Sequence, residues 1–459
     1  MKRIVGFILC LVIFFTTNLL PVPSGLDIAG RNTLALLLIA LILWILEIVP
    51  LGITSIFLLA LQPIMGVTDI GTSMSSFGHP VVFFVIATFG ISITITKVPL
   101  AKRMLIKILD KLGDNVNNVI LAFMIATALI STVMSNIPAT GLFMGIALGF
   151  LEVFNNEEDR RKTGRALMIA IPVAGMIGGI MTPVGSSINI LSLSLLSEYT
   201  GINISFINWM LIGVPIGLIL LPLAWFIIIK LYKPININKI TIDKFLESQT
   251  IDAKLSKEEW KVFFILITML VFWIASSWIS GLNVTIVAIC GLIVMFLPGI
   301  DILDWNTYSK GVNWSVMLMV GSVLSIGNAV MSNGVGQWLL DNIFIISPDT
   351  NVIFVLIFLG IFIALLHLPL PIAPAIVTVM SYPLIGIASS MGINPSILII
   401  PLAMYSGWCM LLPVDPVPLL TYSTGYYSMS DMAKGGSIIT FAGVLITSIW
   451  IPIIYAFIL

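Results

Sequence analysis

The sequence predicts an all-α polytopic membrane protein with about eleven transmembrane helices and two re-entrant hairpins, arranged as two inverted repeats. Three observations carry this. Hydrophobic residues make up 59% of the 459-residue chain and charged residues only 9%, too little polar surface to cover a soluble globule. The apolar stretches are punctuated by Pro and by clusters of Ser, Thr and Asn. The two halves also echo one another in sequence.

The first apolar run follows Met1-Lys2-Arg3 and continues to about Leu20. It is long for a cleaved leader, and Leu19-Leu20-Pro21-Val22-Pro23 is a poor small-residue cleavage site, so residues 1–32 read as an N-terminal transmembrane helix. Further apolar runs fall near 33–49, 51–66, 80–96, 118–154, 166–196, 206–231, 259–279, 283–298, 313–331, 352–391, 396–424 and 437–458. Residues 233–258 are hydrophilic and read as a cytoplasmic linker between a first repeat, 33–232, and a second, 259–459. Each repeat divides again, at 33–113 and 114–232 and at 259–346 and 347–459.

Following the crossings from a cytoplasmic N-terminus places every Lys and Arg except Arg31 on the inner side and the C-terminus outside. Residues 311–433 contain no Lys or Arg, which puts the second hairpin on the external side. The balance of 21 basic and 21 acidic residues leaves no basic field for nucleic acid. Cys10, Cys290 and Cys409 lie far apart in apolar runs and read as buried thiols, with neither a disulfide framework nor a C-x-x-C zinc spacing. Residues 97–113 alternate Leu, Ile and Met with Lys and Arg at helical spacing, the pattern of an amphipathic helix along the cytoplasmic surface; 334–346 is its external counterpart.

The halves correspond at several points. Trp44 with Gly52-Ile53-Thr54 recurs as Trp273 with Asn283-Val284-Thr285. Pro63 with Gly66-Val67-Thr68-Asp69 recurs as Pro298-Gly299-Ile300-Asp301, and Met181-Thr182-Pro183-Val184-Gly185 as Leu411-Leu412-Pro413-Val414-Asp415. With one hairpin entering from each side, these are inverted repeats, which place a binding site near the midplane where broken helices meet.

Between about Asn118 and Phe154, two apolar arms flank Ser131-Thr132-Val133-Met134-Ser135-Asn136-Ile137-Pro138-Ala139-Thr140. Each arm is short of the ~20 residues a crossing needs. Pro138 lacks an N–H and biases Ile137 away from helical angles, so the chain turns there. Bare backbone at that depth is tolerated only inside protein or beside water, which makes the tip a candidate site. The alternative is that its hydroxyls and amide satisfy only the turn itself. A second break, Thr182-Pro183-Val184-Gly185-Ser186-Ser187-Ile188-Asn189, starts a half-helix near Ser187 whose free N–H groups suit an anion. Carbonyls near Gly185, with Ser131, Ser135 and Asn136, offer neutral oxygens for a small cation such as sodium. Gly141, Gly145 and Gly149 line one face of the exit arm, a stripe expected to allow close helix packing.

Trp44-Ile45-Leu46-Glu47-Ile48-Val49-Pro50-Leu51, Ser76-Phe77-Gly78-His79-Pro80-Val81-Val82, Ser135-Asn136 in a hairpin, and Ile177-Gly178-Gly179 before Thr182-Pro183-Val184-Gly185-Ser186 and Asn189 together resemble the divalent anion/sodium symporter family of dicarboxylate, citrate and sulfate carriers. The resemblance covers nearly the whole chain in order. It implies an elevator-type homodimer in which scaffold helices, 33–113 and 259–346, hold transport parts, 114–232 and 347–459. It further implies a sodium site of Ser131, Ser135, Asn136 and Gly185. The anion contacts it implies come from Asn136 and Ser186; Ile137 and Asn189 beside them, with Pro416 and Val417 from the second half, complete the candidate anion site. His79, in the family's Phe-Gly-x-Pro turn, is expected to be structural and at the cytoplasmic end of its helix.

The second half departs from this pattern. Ala373-Pro374-Ala375 stands where the family repeats its Ser-Asn-Thr tip, Pro416-Val417-Pro418-Leu419 replaces Thr-Pro-Pro-Asn, and Asp415 stands where a small residue is usual. A carboxylate at mid-membrane costs ~2.5–3.5 kcal/mol, so Asp415 either caps the half-helix that starts at Pro416 or carries a proton or fixed charge in place of a second sodium site. His367 is a candidate relay to it, against a structural role.

Three functions follow for comparison. One is secondary transport of a small anion, a di- or tricarboxylate, across the cytoplasmic membrane, coupled to sodium through the one retained site and needing no other cofactor. The second is an exchanger or proton-coupled carrier using Asp415. The third, an intramembrane enzyme using Ser186 or Asp415, lacks an H-E-x-x-H motif and a second facing carboxylate. An ATP-driven pump lacks the G-x-x-x-x-G-K-[ST] loop.

Overall fold

The computed structural model describes residues 2–235, 239–249, 254–279, 281–342, 347, 349–408 and 410–457. Among them the chain is helical throughout and contains no strand. Two helices stand apart from the two halves: α1 (Lys2–Thr16) precedes the first and α12 (Lys239–Ser248) lies between them. The first half contains α2 (Ile28–Leu46), α3 (Leu51–Ile64), α4 (Ile70–Ser75), α5 (Pro80–Lys97), α6 (Leu100–Leu112), α7 (Val116–Ser131), α8 (Asn136–Leu151), α9 (Glu157–Met181), α10 (Ser187–Thr200) and α11 (Phe206–Tyr232). The second half follows the same order: α13 (Lys257–Ala275), α14 (Val284–Phe296), α15 (Trp305–Gly311), α16 (Trp314–Ser332), α17 (Val335–Asn342), α18 (Val352–Leu366), α19 (Ala373–Ser390), α20 (Ser396–Gly407), α21 (Pro416–Tyr422) and α22 (Met429–Phe457).

Local chemistry repeats with the order. Asp69 caps α4 by accepting from Thr72 N (3.0 Å) and Thr72 Oγ1 (2.5 Å). Asp304 caps α15 by accepting from Thr307 N (2.9 Å) and Thr307 Oγ1 (2.6 Å). Asp304 thus caps its helix as Asp69 does, whereas Asp301, matched to Asp69 through the Pro-Gly turn, accepts from Gly299 N at 2.8 Å within that turn. Asn115 and Asn351 likewise cap α7 and α18, the first arms of the two hairpins. Trp44 and Trp273 are both buried.

Among the described residues, seven helices are long and apolar enough to cross a membrane, and seven apolar helices of 10–17 residues accompany them. The shorter set includes both arms of the first hairpin and the first arm of the second. The protein is a helical membrane protein.

The helices gather into two compact units. The first holds residues 1–86, 190–203 and 313–406. In it α3 packs on α16, where Gly52 meets Ser315 and Gln62 Nε2 donates to Ser325 Oγ at 2.9 Å. Asn333 Nδ2 donates to Thr33 Oγ1 (2.8 Å) and to Val67 O (3.0 Å). α19 lies against α16 and α17, with Thr378 over Gly327 and Tyr382 over Gly336. His79 Nε2 lies 3.9 Å from Glu198 Oε2 in this unit. Because α5 runs from Pro80 to Lys97, His79 and Lys97 stand at opposite ends of one helix, so His79 cannot share the cytoplasmic face assigned to Lys97.

The second unit holds residues 87–189, 204–312 and 407–459. Its axis is α9, in which every residue from Ala166 to Met181 is buried. α7, α8, α11 and α21 surround it. α6 begins at Leu100, after Pro99 ends the helix that carries Lys97. It turns Ala101, Leu105 and Leu109 into the protein, so its apolar stripe serves packing on α7. Arg103 and Glu259 form an ion pair in which Glu259 is 1% exposed; Glu259 also completes a capping box with Ser256 at the start of α13. Gly141 touches Leu420, but among the described residues nothing lies within 4 Å of a Cβ placed at Gly145 or Gly149, so the glycine stripe is not the packing seam expected of it there. Cys10 is buried as expected, Cys290 is exposed because it faces out of α14, and Cys409 lies outside the described residues, as do 343–346 of the expected external amphipathic segment.

Candidate binding site

The chain leaves the helix between Ser131 and Asn136, and α8 restarts with Ser135 at its N-cap. Ser135 does not cap with its hydroxyl, and Ser131 Oγ reaches past the turn to donate to Gly175 O on α9 at 2.8 Å. The tip chemistry is therefore spent on α9, and the purely local reading of Ser131 fails. The side-chain amide of Asn136 faces Ser131 Oγ (2.8 Å), Gly185 O (3.2 Å) and Gly175 O (3.3 Å). Three acceptors around one atom assign that atom as the nitrogen.

Small residues on α9 make this approach possible. A Cβ on Gly179 would sit 2.2 Å from the Asn136 amide, and one on Gly178 would sit 2.2 Å from Ala128 O. Ile177-Gly178-Gly179 is thus a seat for α7 and for the hairpin tip. Gly185 is held as closely, 2.7 Å from Gly179 O and 2.9 Å from Ser131 O measured from the place of a Cβ.

α9 ends because Pro183 cannot continue it. Thr182 bridges the break: its Oγ1 donates to Thr132 O (2.5 Å) and accepts from Gly185 N (3.0 Å). Carbonyls freed at the break are recovered by side chains, Trp209 Nε1 donating to Ile180 O at 2.9 Å and Asn189 Nδ2 to Gly179 O and Thr182 O at 2.8 and 3.0 Å. Those two bonds fix the Asn189 amide and leave its Oδ1 buried without a partner among the described residues. Ser186 Oγ accepts from Ile188 N at 3.3 Å at the start of α10. Ser131, Asn136 and Asn189 thus converge on one break, with Gly185 at its centre, while Ser135 and Ile137 flank Asn136 in the chain and Ser186 bonds locally at the start of α10.

The second break is built differently. Asp415 caps α21, its Oδ1 accepting from Val417 N at 3.0 Å. Pro416 has no N–H and Val417 has given its own to Asp415, so neither has a backbone donor left for an anion. Gly436 lets Met410 O approach to within 1.6 Å of where a Cβ would stand, which seats this break on α22. His367 ends α18: its N–H donates to Ile363 O (3.0 Å), and its Nδ1 lies 3.0 Å from the same oxygen. It belongs to the first unit, whereas Asp415 belongs to the second.

Short helices that stop inside protein around converging oxygens and amides define a membrane transporter. Residues 1–458 match the family described as the sodium:sulfate symporter transmembrane region, and the chain belongs to that family. The sodium-dependent dicarboxylate transporter SdcS of Staphylococcus saprophyticus is 27% identical, with 95% of this chain and 88% of that protein covered. SdcS of Staphylococcus aureus is 24% identical with the same coverage. In fold, the chain is similar to the crystal structure of the Alcanivorax borkumensis YdaH transporter, with a TM-score of 0.56, 12% identity, and 99% and 98% of the two chains covered. Membership in a family of transporters sets the enzyme reading aside.

Proposed function

We propose that this protein carries a small dicarboxylate or tricarboxylate across the cytoplasmic membrane, driven by sodium bound at the first break. The observation that supports it best is the crowding of Gly185 O, Gly175 O and Ser131 Oγ around the Asn136 amide nitrogen. Neutral oxygens gathered on one point suit a small hard cation, which can take the place the N–H donors now fill. Ser131, Ser135, Asn136 and Gly185 would hold sodium, and the names of the curated relatives agree with sodium and a dicarboxylate. Asn189 moves to the cation side of this reading: its donors are spent, and a lone carbonyl oxygen attracts a cation and repels a carboxylate. The anion is left with Asn136, Ile137, Ser186 and the start of α10.

The matching helix order supports two repeats; on this reading they are inverted, transport parts 114–232 and 347–459 move against a scaffold in a homodimer, and the N-terminus lies inside and the C-terminus outside. The test is uptake into proteoliposomes over a panel of sulfate, succinate and citrate, each with and without a sodium gradient. Sodium-driven accumulation lost in Asn136→Ala supports the reading; full activity in that variant removes the first hairpin from the site.

One observation favours a second reading, an exchanger or proton-coupled carrier. Asp415 puts a carboxylate at the helix start where the second half would otherwise present free N–H groups to the anion. A charge there replaces part of the anion cradle and can bind a proton in place of a second sodium. Uptake that needs preloaded substrate, with no response to sodium, distinguishes this reading from the first.

A further inference from the structure

Three arginines stand in the first turns of α9, and the loop joining α21 to α22 is folded back on them. Tyr426 lies flat on Gly164, where a Cβ would be 2.2 Å from its ring, and its hydroxyl accepts from Arg160 Nε at 2.9 Å. The next loop residue is also tied down, Tyr427 donating to Pro418 O at 2.8 Å. Ser428 donates through its N and its Oγ to Asp431 Oδ2, at 2.9 and 2.7 Å. Asp431 Oδ1 lies 3.5 Å from Arg165 Nη1, and Tyr232 donates to Asp431 O at 2.6 Å.

This pinned loop and α9 flank an open cavity of about 650 Å³ lined by Arg161, Arg165, Tyr422, Ser423 and Ser428. A second lobe of about 520 Å³ continues past Arg161 and Tyr426 towards Arg160 and Glu157. The acid in the main lobe is committed, since both Asp431 oxygens are engaged. The cations are only partly committed, Arg165 through Nη1 to Asp431 and Arg160 through Nε to Tyr426. Arg161 is exposed and makes no hydrogen bond or ion pair among the described residues, and Arg165 Nε is buried without a partner. Guanidinium groups with donors to spare, beside the phenol ring of Tyr422, match the oxygens of a carboxylate or phosphate.

We propose that this cavity is a second anion-binding site, taking a small oxyanion of two or more charges. By the distribution of Lys and Arg it opens to the cytoplasm. It is distinct from the first break: at 1.5 Å per residue, Gly179 lies about 21 Å along α9 from Arg165. It stands on its own geometry and does not rest on the transport reading.

The oxyanion can be a soluble carboxylate or the phosphate of an anionic lipid, and one experiment separates them. The full chain in phosphatidylcholine nanodiscs, without sodium, is titrated with citrate by calorimetry. Saturable binding is expected, weakened about tenfold by Arg161→Gln, the loss of one charge-assisted contact, and unchanged by Asn136→Ala. Arg161 is exposed and unbonded, so its replacement leaves the fold intact. Phosphatidylglycerol in the nanodisc weakens citrate binding in the wild type if lipid phosphate is the occupant, and leaves it unchanged if the soluble anion is; either result supports the site. Absence of saturable binding, equal binding in Arg161→Gln, or loss of binding in Asn136→Ala overturns it. Failed uptake in proteoliposomes with the Arg161-dependent binding intact would count against the transport reading alone.

Discussion

The side-chain amide of Asn136 rests on the bare backbone of Gly179, with only 2.2 Å between the amide and the place where a Cβ would stand. Hairpin tip and broken helix therefore meet as backbone against side chain, and the oxygens of Gly175, Gly185 and Ser131 are gathered by that contact.

Gly179→Ala is expected to push Asn136 off α9. Overpacking of this kind costs about 1–3 kcal/mol, so the variant should fold with a lowered melting midpoint while its sodium-driven uptake falls at least about tenfold, because the displaced amide no longer holds the three oxygens together. Proteoliposome uptake measured beside thermal unfolding checks this; wild-type uptake in a folded variant would show that the contact is dispensable.

Much of this was legible in the sequence because the breaks are written in Pro, Gly and polar residues, whose backbone consequences are local. Pro183 ends α9, Ser131 to Asn136 interrupts the hairpin, and Asp415 precedes a proline as an N-cap does. Long-range complementarity was not legible. The three glycines of α8 look like a packing seam, yet two of them meet nothing among the described residues, while Gly178 and Gly179 carry the close approach because of what α7 and α8 bring to them. Asn189 carries no mark in the sequence of which of its amide atoms is spent. The arginine cavity joins residues 160–165 to 422–431, stretches with no sequence signal linking them. A spacing search for D-x-x-T would have found that Asp69 and Asp304 cap their helices in the same way.

Those paired caps give a pH prediction. Hydrogen bonds from Thr72 and Thr307, first from the side chain and then from the backbone, hold the Asp69 and Asp304 carboxyls below the usual carboxylate range. A lowered folded-state pKa contributes stability that is present above the unfolded carboxylate value and lost as pH falls through the lowered one. Hydrogen exchange at the Thr72 and Thr307 amides should therefore stay slow at neutral pH. Relative to neighbouring helix amides it should quicken at both sites only in strong acid; quickening of either amide at mildly acidic pH would show that its cap does not hold the carboxyl low.

Asp415→Asn and Asp415→Ala should part company. Asn is as good an N-cap as Asp, whereas Ala loses the bond to Val417 N and costs about 1 kcal/mol, so only Ala should lower the melting midpoint. If Asp415 carries the proton of the second reading, Asn also flattens the pH profile of uptake with the fold unharmed. An unchanged profile in Asp415→Asn confines the residue to capping.

Asn189 distinguishes a cation contact from an anion contact. Its nitrogen serves Gly179 O and Thr182 O, and a buried group left unsatisfied costs roughly 1–3 kcal/mol, so Asn189→Ala should destabilise the protein by about that amount or more. Its free oxygen faces no donor among the described residues, an arrangement that favours a positive charge. In the fraction that folds, the sodium concentration for half-maximal uptake should rise several-fold, with the substrate KM little changed at saturating sodium. A raised substrate KM at unchanged sodium dependence would instead return Asn189 to the anion, and would require its amide to turn away from the two carbonyls that now orient it.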